Sequence, residues 1–366
     1  MNKLNNKKIG IIWKSNKDHE KRYPLDYRHL KKFTEDELGQ IYFEENYPEI
    51  NLSKFRNKLN FLSRENIFKT CDIVVITKLV EEDYQYIKDN QIIFGWLHCV
   101  QSEKIVDLAI KKKLTLISFE NMYVESKGGR KRHVFCRNNE LAGYSGVNNF
   151  MSTYGITPGA YGKQRKIAVL GYGSTAKGAL TSLIGLGATD VTVFSRRTIF
   201  EISDAIKGIN YKQYKVKNGE AYIDDEEAYK TLNDYDIIVN CVFQNPLKPI
   251  MFLRENQIKA TKEKIKIIDI SCDEEMGFDF AKPTKFTDPI VYGEHFIYYS
   301  VDNLPSLYYK AASFEISGAV VKYIKKLCHT NAFEESNTIS GAIDIKKGKI
   351  LNEDILEFQN RNFLKQ

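Results

Sequence analysis

Two groups of residues in this 366-residue chain have the types and spacing to do chemistry. The first is built on glycine. Lys166-Ile167-Ala168-Val169-Leu170 reads as a buried strand, Gly171-Tyr172-Gly173 as a tight turn, and Ser174-Thr175-Ala176-Lys177-Gly178-Ala179 as the opening of a helix. Gly171 permits the turn and Gly173 lets backbone approach a phosphate. The helix N-terminus offers unpaired N–H groups and the positive end of its dipole. The third glycine, Gly178, stands two positions later than in the common G-x-G-x-x-G pattern, and Ala176 takes the usual place. A lone glycine pattern is weak evidence, but strand–turn–helix is the context it requires. The stretch therefore predicts a dinucleotide site at Gly171, Gly173, Ser174, Thr175 and Gly178, against the alternative of a purely structural turn.

The next strand, Val191-Thr192-Val193-Phe194, ends in Ser195-Arg196-Arg197-Thr198. A site selective for NAD usually carries a carboxylate here, to accept from the ribose 2′-hydroxyl. A hydroxyl and two guanidinium groups stand there instead and match a 2′-phosphate. Ser195, Arg196 and Arg197 thus predict NADP(H), with a solvated arginine pair as the alternative. A further run, Asp236–Val242, contains Asn240 and Cys241 at its end. The carboxyl ends of parallel strands line the ligand crevice, which makes both residues candidate neighbours of the cofactor.

The second group is cationic and titratable. Arg22 lies in the loop after the first apolar run, Lys78 ends the run from Asp72, and His98 ends the run Ile92-Ile93-Phe94-Gly95-Trp96-Leu97. A guanidinium can hold a carboxylate, a desolvated lysine can transfer protons, and histidine is the usual acid–base group near neutrality. Spacing alone leaves a structural role open for each. Gln101 and Glu120 are further candidate substrate-binding residues.

The elements that must position these groups alternate. Short β-branched runs (Ile9–Trp13, Ile41–Phe43, Asp72–Ile76, Gln91–Leu97, Leu114–Phe119, then Lys166–Leu170, Asp190–Phe194, Tyr211–Val216, Asp236–Val242, Ile265–Ile270 and His295–Val301) are separated by longer amphipathic segments. Candidate helices are Tyr27–Phe33, Asp83–Asp89 and Ser102–Lys112. This rhythm predicts an α/β fold of two Rossmann-like, doubly wound parallel sheets, with cofactor and substrate in the cleft between the domains. Runs such as Ile73-Val74-Val75-Ile76 suit strands buried on both faces. Asn139–Tyr154, capped by Asn138 or Asn139, and Ser306–Leu327 read as helices that flank the second domain. The expected organisation is 1–145 with 306–366 as the substrate and catalytic domain, and 146–305 as the NADP(H)-binding domain. A hairpin is expected around Ile343–Leu351, in a tail that runs from Ala332 to Gln366.

Composition bounds the rest. The chain is 43% hydrophobic and 28% charged, a globular balance. No apolar run approaches the ~20 residues that cross a bilayer, and the polar start lacks a signal-peptide pattern, so the expected location is the cytoplasm. The six cysteines form no C-x-x-C pair, which indicates neither a metal site nor a redox dithiol. The net charge of +7 comes from lysines interleaved with acids, so no nucleic-acid partner is expected. The densest basic cluster, Lys127 to His133, reads as a solvated loop or as a lure for anionic substrates.

Several stretches, taken in order, carry a resemblance. They are Glu20-Lys21-Arg22-Tyr23-Pro24-Leu25, Lys78, Gly95-Trp96-Leu97-His98-Cys99-Val100-Gln101, Asn138-Asn139-Glu140-Leu141-Ala142-Gly143-Tyr144, Asp269-Ile270-Ser271-Cys272-Asp273-Glu274, Phe280-Ala281-Lys282-Pro283-Thr284 and Ser300-Val301-Asp302-Asn303-Leu304-Pro305-Ser306. Over roughly residues 8–330 the chain resembles the alanine dehydrogenase/transhydrogenase superfamily, most nearly its N5-(carboxyethyl)ornithine synthase and lysine-forming saccharopine dehydrogenase branches. The resemblance implies that Lys78 and His98 are paired acid–base residues, that Arg22 holds a substrate carboxylate, that Gly171, Gly173 and Gly178 form the dinucleotide turn, and that Asp302 lies beside the nicotinamide. Ser195-Arg196-Arg197 suits the NADPH preference of the carboxyethylornithine enzymes and departs from the NAD-dependent members. The implied activity is NADPH-dependent reductive condensation of an amino acid, such as ornithine or lysine, with a 2-oxo acid such as pyruvate. The alternatives are an amino-acid dehydrogenase that uses ammonia and a non-catalytic NADPH-binding protein. Small molecules are the expected partners, and assembly into a homo-oligomer is left open.

Overall fold

The computed structural model describes residues 7–125, 129, 131–202, 204–329 and 336–361. The chain divides into two compact units, Met1–Arg137 with Tyr308–Gln366, and Asn138–Leu307. Among the described residues, no helix is long and apolar enough to cross a membrane.

The strands, in chain order, begin with β1 (Ile9–Ile12), β2 (Ile41–Glu44), β3 (Asn60–Leu62), β4 (Ile73–Lys78), β5 (Ile92–Trp96), β6 (Thr115–Ser118), β7 (Tyr123–Glu125) and β8 (Lys131–His133). They continue with β9 (Lys166–Leu170), β10 (Asp190–Ser195), β11 (Asn210–Lys217), β12 (Glu220–Ile223), β13 (Glu226–Glu227), β14 (Ile237–Asn240), β15 (Met251–Leu253) and β16 (Ile265–Asp269). The last are β17 (Gly277–Phe278), β18 (Ile290–Tyr292), β19 (Phe296–Tyr299), β20 (Ile343–Lys346) and β21 (Lys349–Ile350). The helices are α1 (Glu35–Gly39), α2 (Arg64–Thr70), α3 (Glu103–Lys111), α4 (Cys136–Tyr154), α5 (Ser174–Gly185), α6 (Ala228–Leu232), α7 (Tyr309–Leu327), α8 (Asn337–Ser340) and α9 (Glu353–Phe358).

In the first unit the sheet order is β21-β20-β6-β5-β4-β1-β2-β3. The six strands from β1 to β6 pair in parallel, while β20 joins β6 antiparallel. Successive side chains of a strand point to opposite faces, and both faces are buried here. Ile9, Ile11, Val75, Phe94 and Ile117 pack on one side with Ile316, Val320 and Ile324 of α7. Ile12, Val74, Ile76, Ile93 and Leu116 pack on the other with Phe68 of α2 and Ile105 and Val106 of α3. Two apolar faces explain why these strands read as continuous hydrophobic runs.

The second unit carries an 11-stranded sheet, with β11-β10-β9-β14-β16-β19 as its parallel centre. Both parallel sets have the strand order 3-2-1-4-5-6 of a doubly wound fold. The sheets are mixed at their margins, because β12 and β18 pair antiparallel with β11 and β19. Helices α4 and α5 pack on one face, through Val147, Phe150 and Met151 and through Ala176, Ala179, Leu180 and Leu183. They approach to backbone contact. A Cβ on Gly178 would stand 1.7 Å from the Glu140 carbonyl oxygen, and one on Gly143 would stand 1.9 Å from that of Thr175.

Some expected elements differ. Tyr27–Phe33 and Asp83–Asp89 are single 3-10 segments, Tyr27–Lys32 and Glu81–Tyr86, each closed by a residue in extended backbone. Helix α4 already begins at Cys136, so Asn138 and Asn139 lie inside it rather than at its cap. A 3-10 turn, Leu304–Tyr308, precedes α7. The hairpin expected around Ile343–Leu351 forms as β20 and β21. Of the basic cluster, Lys127, Gly128 and Arg130 lie outside the described residues, as do 332–335 and 362–366 of the tail. Lys131–His133 form β8, paired with β7 as a two-stranded ribbon rather than a loop.

Candidate functional site

In the first unit the candidate residues follow the carboxyl ends of neighbouring parallel strands. Arg22 comes after β1, Lys78 ends β4, His98 follows β5 and Glu120 follows β6. Arg22 is buried, and its fork grips Glu20: Nε donates to Oε1 at 2.8 Å and Nη2 to Oε2 at 2.5 Å. The Arg22 backbone N–H also donates to Glu20 Oε1, at 3.0 Å. Burial would raise the Glu20 carboxyl, but Arg22, with help from Lys78, holds it below its ordinary range. The guanidinium lies 5.0 Å from the Trp96 ring centroid, and Trp96 stands opposite Lys78 in the β4–β5 register. Glu20 was missed as a site residue. Its signals in the sequence are its place two residues before Arg22 and at the head of the Glu20–Leu25 stretch that carries the resemblance.

Lys78 follows an irregularity in its strand. The β4–β5 register shifts between Val75 and Lys78, and a bulge of this kind re-aims the residue that follows it. Glycine is needed opposite, because a Cβ on Gly95 would stand 2.0 Å from the Ile76 carbonyl oxygen. Lys78 is buried, 8% exposed.

His98 sits in the left-handed region at φ 50°, which is uncommon for a residue with a side chain. Its backbone N–H donates to Glu120 Oε1 at 3.0 Å, and its Nδ1 lies 3.4 Å from the same oxygen. Glu120 is carried by a 3-10 turn, Phe119–Asn121. Burial, aided by the charge of Asp344, pushes its carboxyl up to about 7. Glu120 Oε2 is sealed from solvent with no hydrogen-bond partner. Gln101 stands exposed on the turn just after His98.

The second unit repeats the logic. Gly171 has φ +90°, and its N–H donates to the Phe194 carbonyl at 2.7 Å. Gly173 is the N-cap of α5, no side chain caps that end, and a Cβ added at Gly173 would meet nothing within 4 Å. The first N–H groups of α5, those of Ser174 and Thr175 among them, thus have no partner within the helix. Ser195 is buried and its Oγ accepts from the Arg197 N–H at 3.1 Å. Arg196 and Arg197 are exposed, and the Arg197 guanidinium donates to the Tyr172 carbonyl of the glycine turn. These features fit a bound dinucleotide phosphate. Gly178 lies deeper in α5 against α4, away from the turn. Cys241 is buried beside Gly171, its carbonyl oxygen 3.1 Å from where a Gly171 Cβ would stand. Asp302 is half-buried and accepts from the Asn303 N–H at 2.6 Å.

One buried group was not foreseen. The fully buried Asp269 accepts from Asn240 Nδ2 at 3.0 Å, the Ser271 N–H at 3.1 Å and the Tyr298 hydroxyl at 2.9 Å. Burial outweighs these donors and pushes its carboxyl from 3.8 up to about 7. Burial and the charge of Asp302 also push Asp273 up to about 6. The fold therefore favours protonated Asp269. Its contribution is most favourable below about pH 4 and is lost as pH rises to about 7. Urea unfolding of Asp269→Asn should show a flatter stability profile than the parent across this window. Equal slopes in the two proteins would contradict the assignment.

Residues 141–353 match the family described as alanine dehydrogenase/PNT, C-terminal domain. An N(5)-(carboxyethyl)ornithine synthase from Clostridium botulinum is 28% identical over 329 residues, covering 87% of this chain and 93% of the relative. An L-alanine dehydrogenase structure superposes with a TM-score of 0.73 at 16% identity, covering 97% of this chain and 99% of that one. The transhydrogenase from Sinorhizobium meliloti gives 0.72 at 14% identity, covering 94% and 98%. These two likenesses show the fold. The family match spans more than half of the chain, which therefore belongs to the alanine dehydrogenase/PNT family of oxidoreductases.

Proposed function

We propose that the chain catalyses NADPH-dependent reductive condensation of an amino-acid amine with a 2-oxo acid, yielding an N-(carboxyalkyl) amino acid. Ornithine or lysine with pyruvate is the first pair to test. The observation that carries the reading is the placing of Arg22, Lys78, His98 and Glu120 after adjacent parallel strands. The relative named N(5)-(carboxyethyl)ornithine synthase supports the same reaction class.

In this reading Glu20 holds the Nε–Nη2 edge of Arg22 and so orients the guanidinium that would meet a substrate carboxylate. The amine attacks the keto carbon. One of Lys78 and His98 takes the amine proton, and the other protonates the carbinolamine oxygen so that water leaves and an imine remains. Glu120 acts through His98. Once it has lost its proton, the Glu120 carboxylate beside Nδ1 favours the imidazole proton on that nitrogen and makes Nε2 the basic one. Cationic groups suit an adduct that carries at least two carboxylates. The cofactor would lie on Gly171, Gly173, Ser174 and Thr175, with Arg196 and Arg197 toward its 2′-phosphate and Cys241 and Asp302 as further neighbours. Bound NADPH supplies the hydride that reduces the imine. The family match also favours a second reading, oxidative deamination of a primary amino acid, which would run in reverse with ammonia in place of the amino acid.

Lys78→Met and His98→Gln should each lower kcat by about 100-fold or more, with NADPH affinity by fluorescence titration close to that of the parent. Full turnover in both would remove them from the chemistry. Replacing Arg196 and Arg197 together by alanine should weaken NADPH binding by about 10- to 100-fold and leave NADH binding nearly unchanged. Equal loss for both coenzymes would argue against a 2′-phosphate contact.

A further inference from the structure

The segment that follows α7 is fastened to the candidate site of its own unit at two places. The first lies in β20, whose antiparallel register with β6 shifts between Ile343 and Ile345. In a regular strand, residues two apart share a face. Here Ile343 packs in the cluster that holds Ile117 and the α7 side chains, whereas Ile345 packs on the opposite face with Leu116. Asp344 is the residue between them, and a bulge turns such a residue out of the normal alternation. Its buried carboxylate accepts from the Ser118 hydroxyl, from Asn121 Nδ2 at 2.8 Å and from Asn352 Nδ2 at 2.9 Å. Ser118 and Asn121 bracket Phe119 and Glu120, so one carboxylate grips both ends of the turn that carries Glu120.

The second fastening lies just after α9. Gln359 Nε2 donates to the carbonyls of Cys99 (2.9 Å) and Val100 (3.0 Å), the two residues after His98. Its Oε1 accepts from Arg361 Nε at 2.6 Å, and Arg361 Nη1 lies 2.7 Å from Asp107 of α3. One segment therefore holds the His98 turn and the Glu120 turn, on either side of the 3.0 Å bond between them.

We propose that Asp344 and Gln359 are positioning residues for the His98–Glu120 pair. Through Ser118, Asn121, Cys99 and Val100 they set how closely the imidazole and the carboxylate approach. The catalytic consequence rests on the function proposed above, whereas the structural coupling stands without it. Among the described residues, titratable groups that face Glu120 include His98 and Cys99 from the turn after β5, His133 from β8, whose Nε2 meets the Glu120 carbonyl, and Asp344 from β20. Burial keeps the Cys99 thiol and the His133 ring neutral. Asp344 thus brings the like charge that works against ionisation of Glu120.

The test uses Asp344→Asn and Gln359→Ala in the full chain. Kinetics are read with the amine and oxo-acid pair, and the His98 imidazole is titrated by NMR with isotope-labelled histidine, its signal assigned through His98→Gln. Both variants should lower kcat about tenfold while the NADPH KM stays unchanged. In Asp344→Asn the lower apparent pKa of the His98–Glu120 pair should fall by about half a unit, because a like charge has gone. Gln359 is only half-buried, so Gln359→Ala, which should displace the His98 signal without lowering that pKa, keeps the test open if Asp344→Asn does not fold. The titration needs no turnover, so it separates this proposal from the reaction assignment. A His98 signal and titration identical to the parent in every folded variant would overturn the positioning role, even in an active synthase. A shifted titration in a chain that turns over no amine would uphold it and count against the proposed reaction.

Discussion

A parallel sheet covered on both faces has room for polar chemistry only at its ends. The middles of β1, β4, β5 and β6 are closed off by apolar side chains above and below, and burying an unpaired polar group there would cost free energy. The groups that can hold or move charge are therefore displaced to where the strands stop. Because the strands run the same way, those stops share one edge. Arg22 and Glu120, far apart in sequence, follow strands that stop at the same edge for this reason. In the other unit Gly171, Ser195, Asn240 and Asp269 end β9, β10, β14 and β16 or follow them directly, and the same constraint gathers a glycine turn, a hydroxyl, an amide and a carboxyl.

Charge at such an edge is half out of water, and the chain resolves that in two ways. Glu20 stays ionised because Arg22 meets it with two nitrogens and Lys78 adds to the field. Removing one partner of such a buried pair costs about 3–5 kcal/mol, since the other is left uncompensated. Glu120 and Asp269 take the other course and retain a proton to about pH 7. A carboxyl poised near neutrality beside an imidazole is suited to proton exchange. One buried in a network of Asn240, Ser271 and Tyr298 is suited to holding a loop in place.

The buried strands were legible because nothing but a two-sided core asks for runs such as Ile73-Val74-Val75-Ile76. The glycine turn was legible because its strand and helix stand on either side of it. Residues that depend on a partner strand were not. The bulge before Lys78 and the one at Asp344 exist only in the pairing of β4 with β5 and of β20 with β6, and no local pattern announces either. Short strands such as β13 and β17, two residues each, carry too few side chains to show alternation. Asn138 and Asn139 look like caps, yet the helix starts before them, where Arg132 reaches Cys136 Sγ with both Nε and Nη2. Gly178 was legible as a glycine but not in its role, which is to let the backbones of α4 and α5 touch.

In the function proposed above, the edge bearing Arg22, Lys78, His98 and Glu120 joins two substrates rather than releasing one. The mass of the product tests it most directly. The full chain is incubated with NADPH, pyruvate and ornithine, or with other amino acids in turn, and the products are read by mass spectrometry beside reactions given ammonia instead. Reductive joining predicts NADPH oxidation that requires both the amino acid and the oxo acid, with a product mass equal to the sum of the two substrates less one oxygen. Alanine formed from ammonia and pyruvate, with no condensation product from any amino acid, would contradict it.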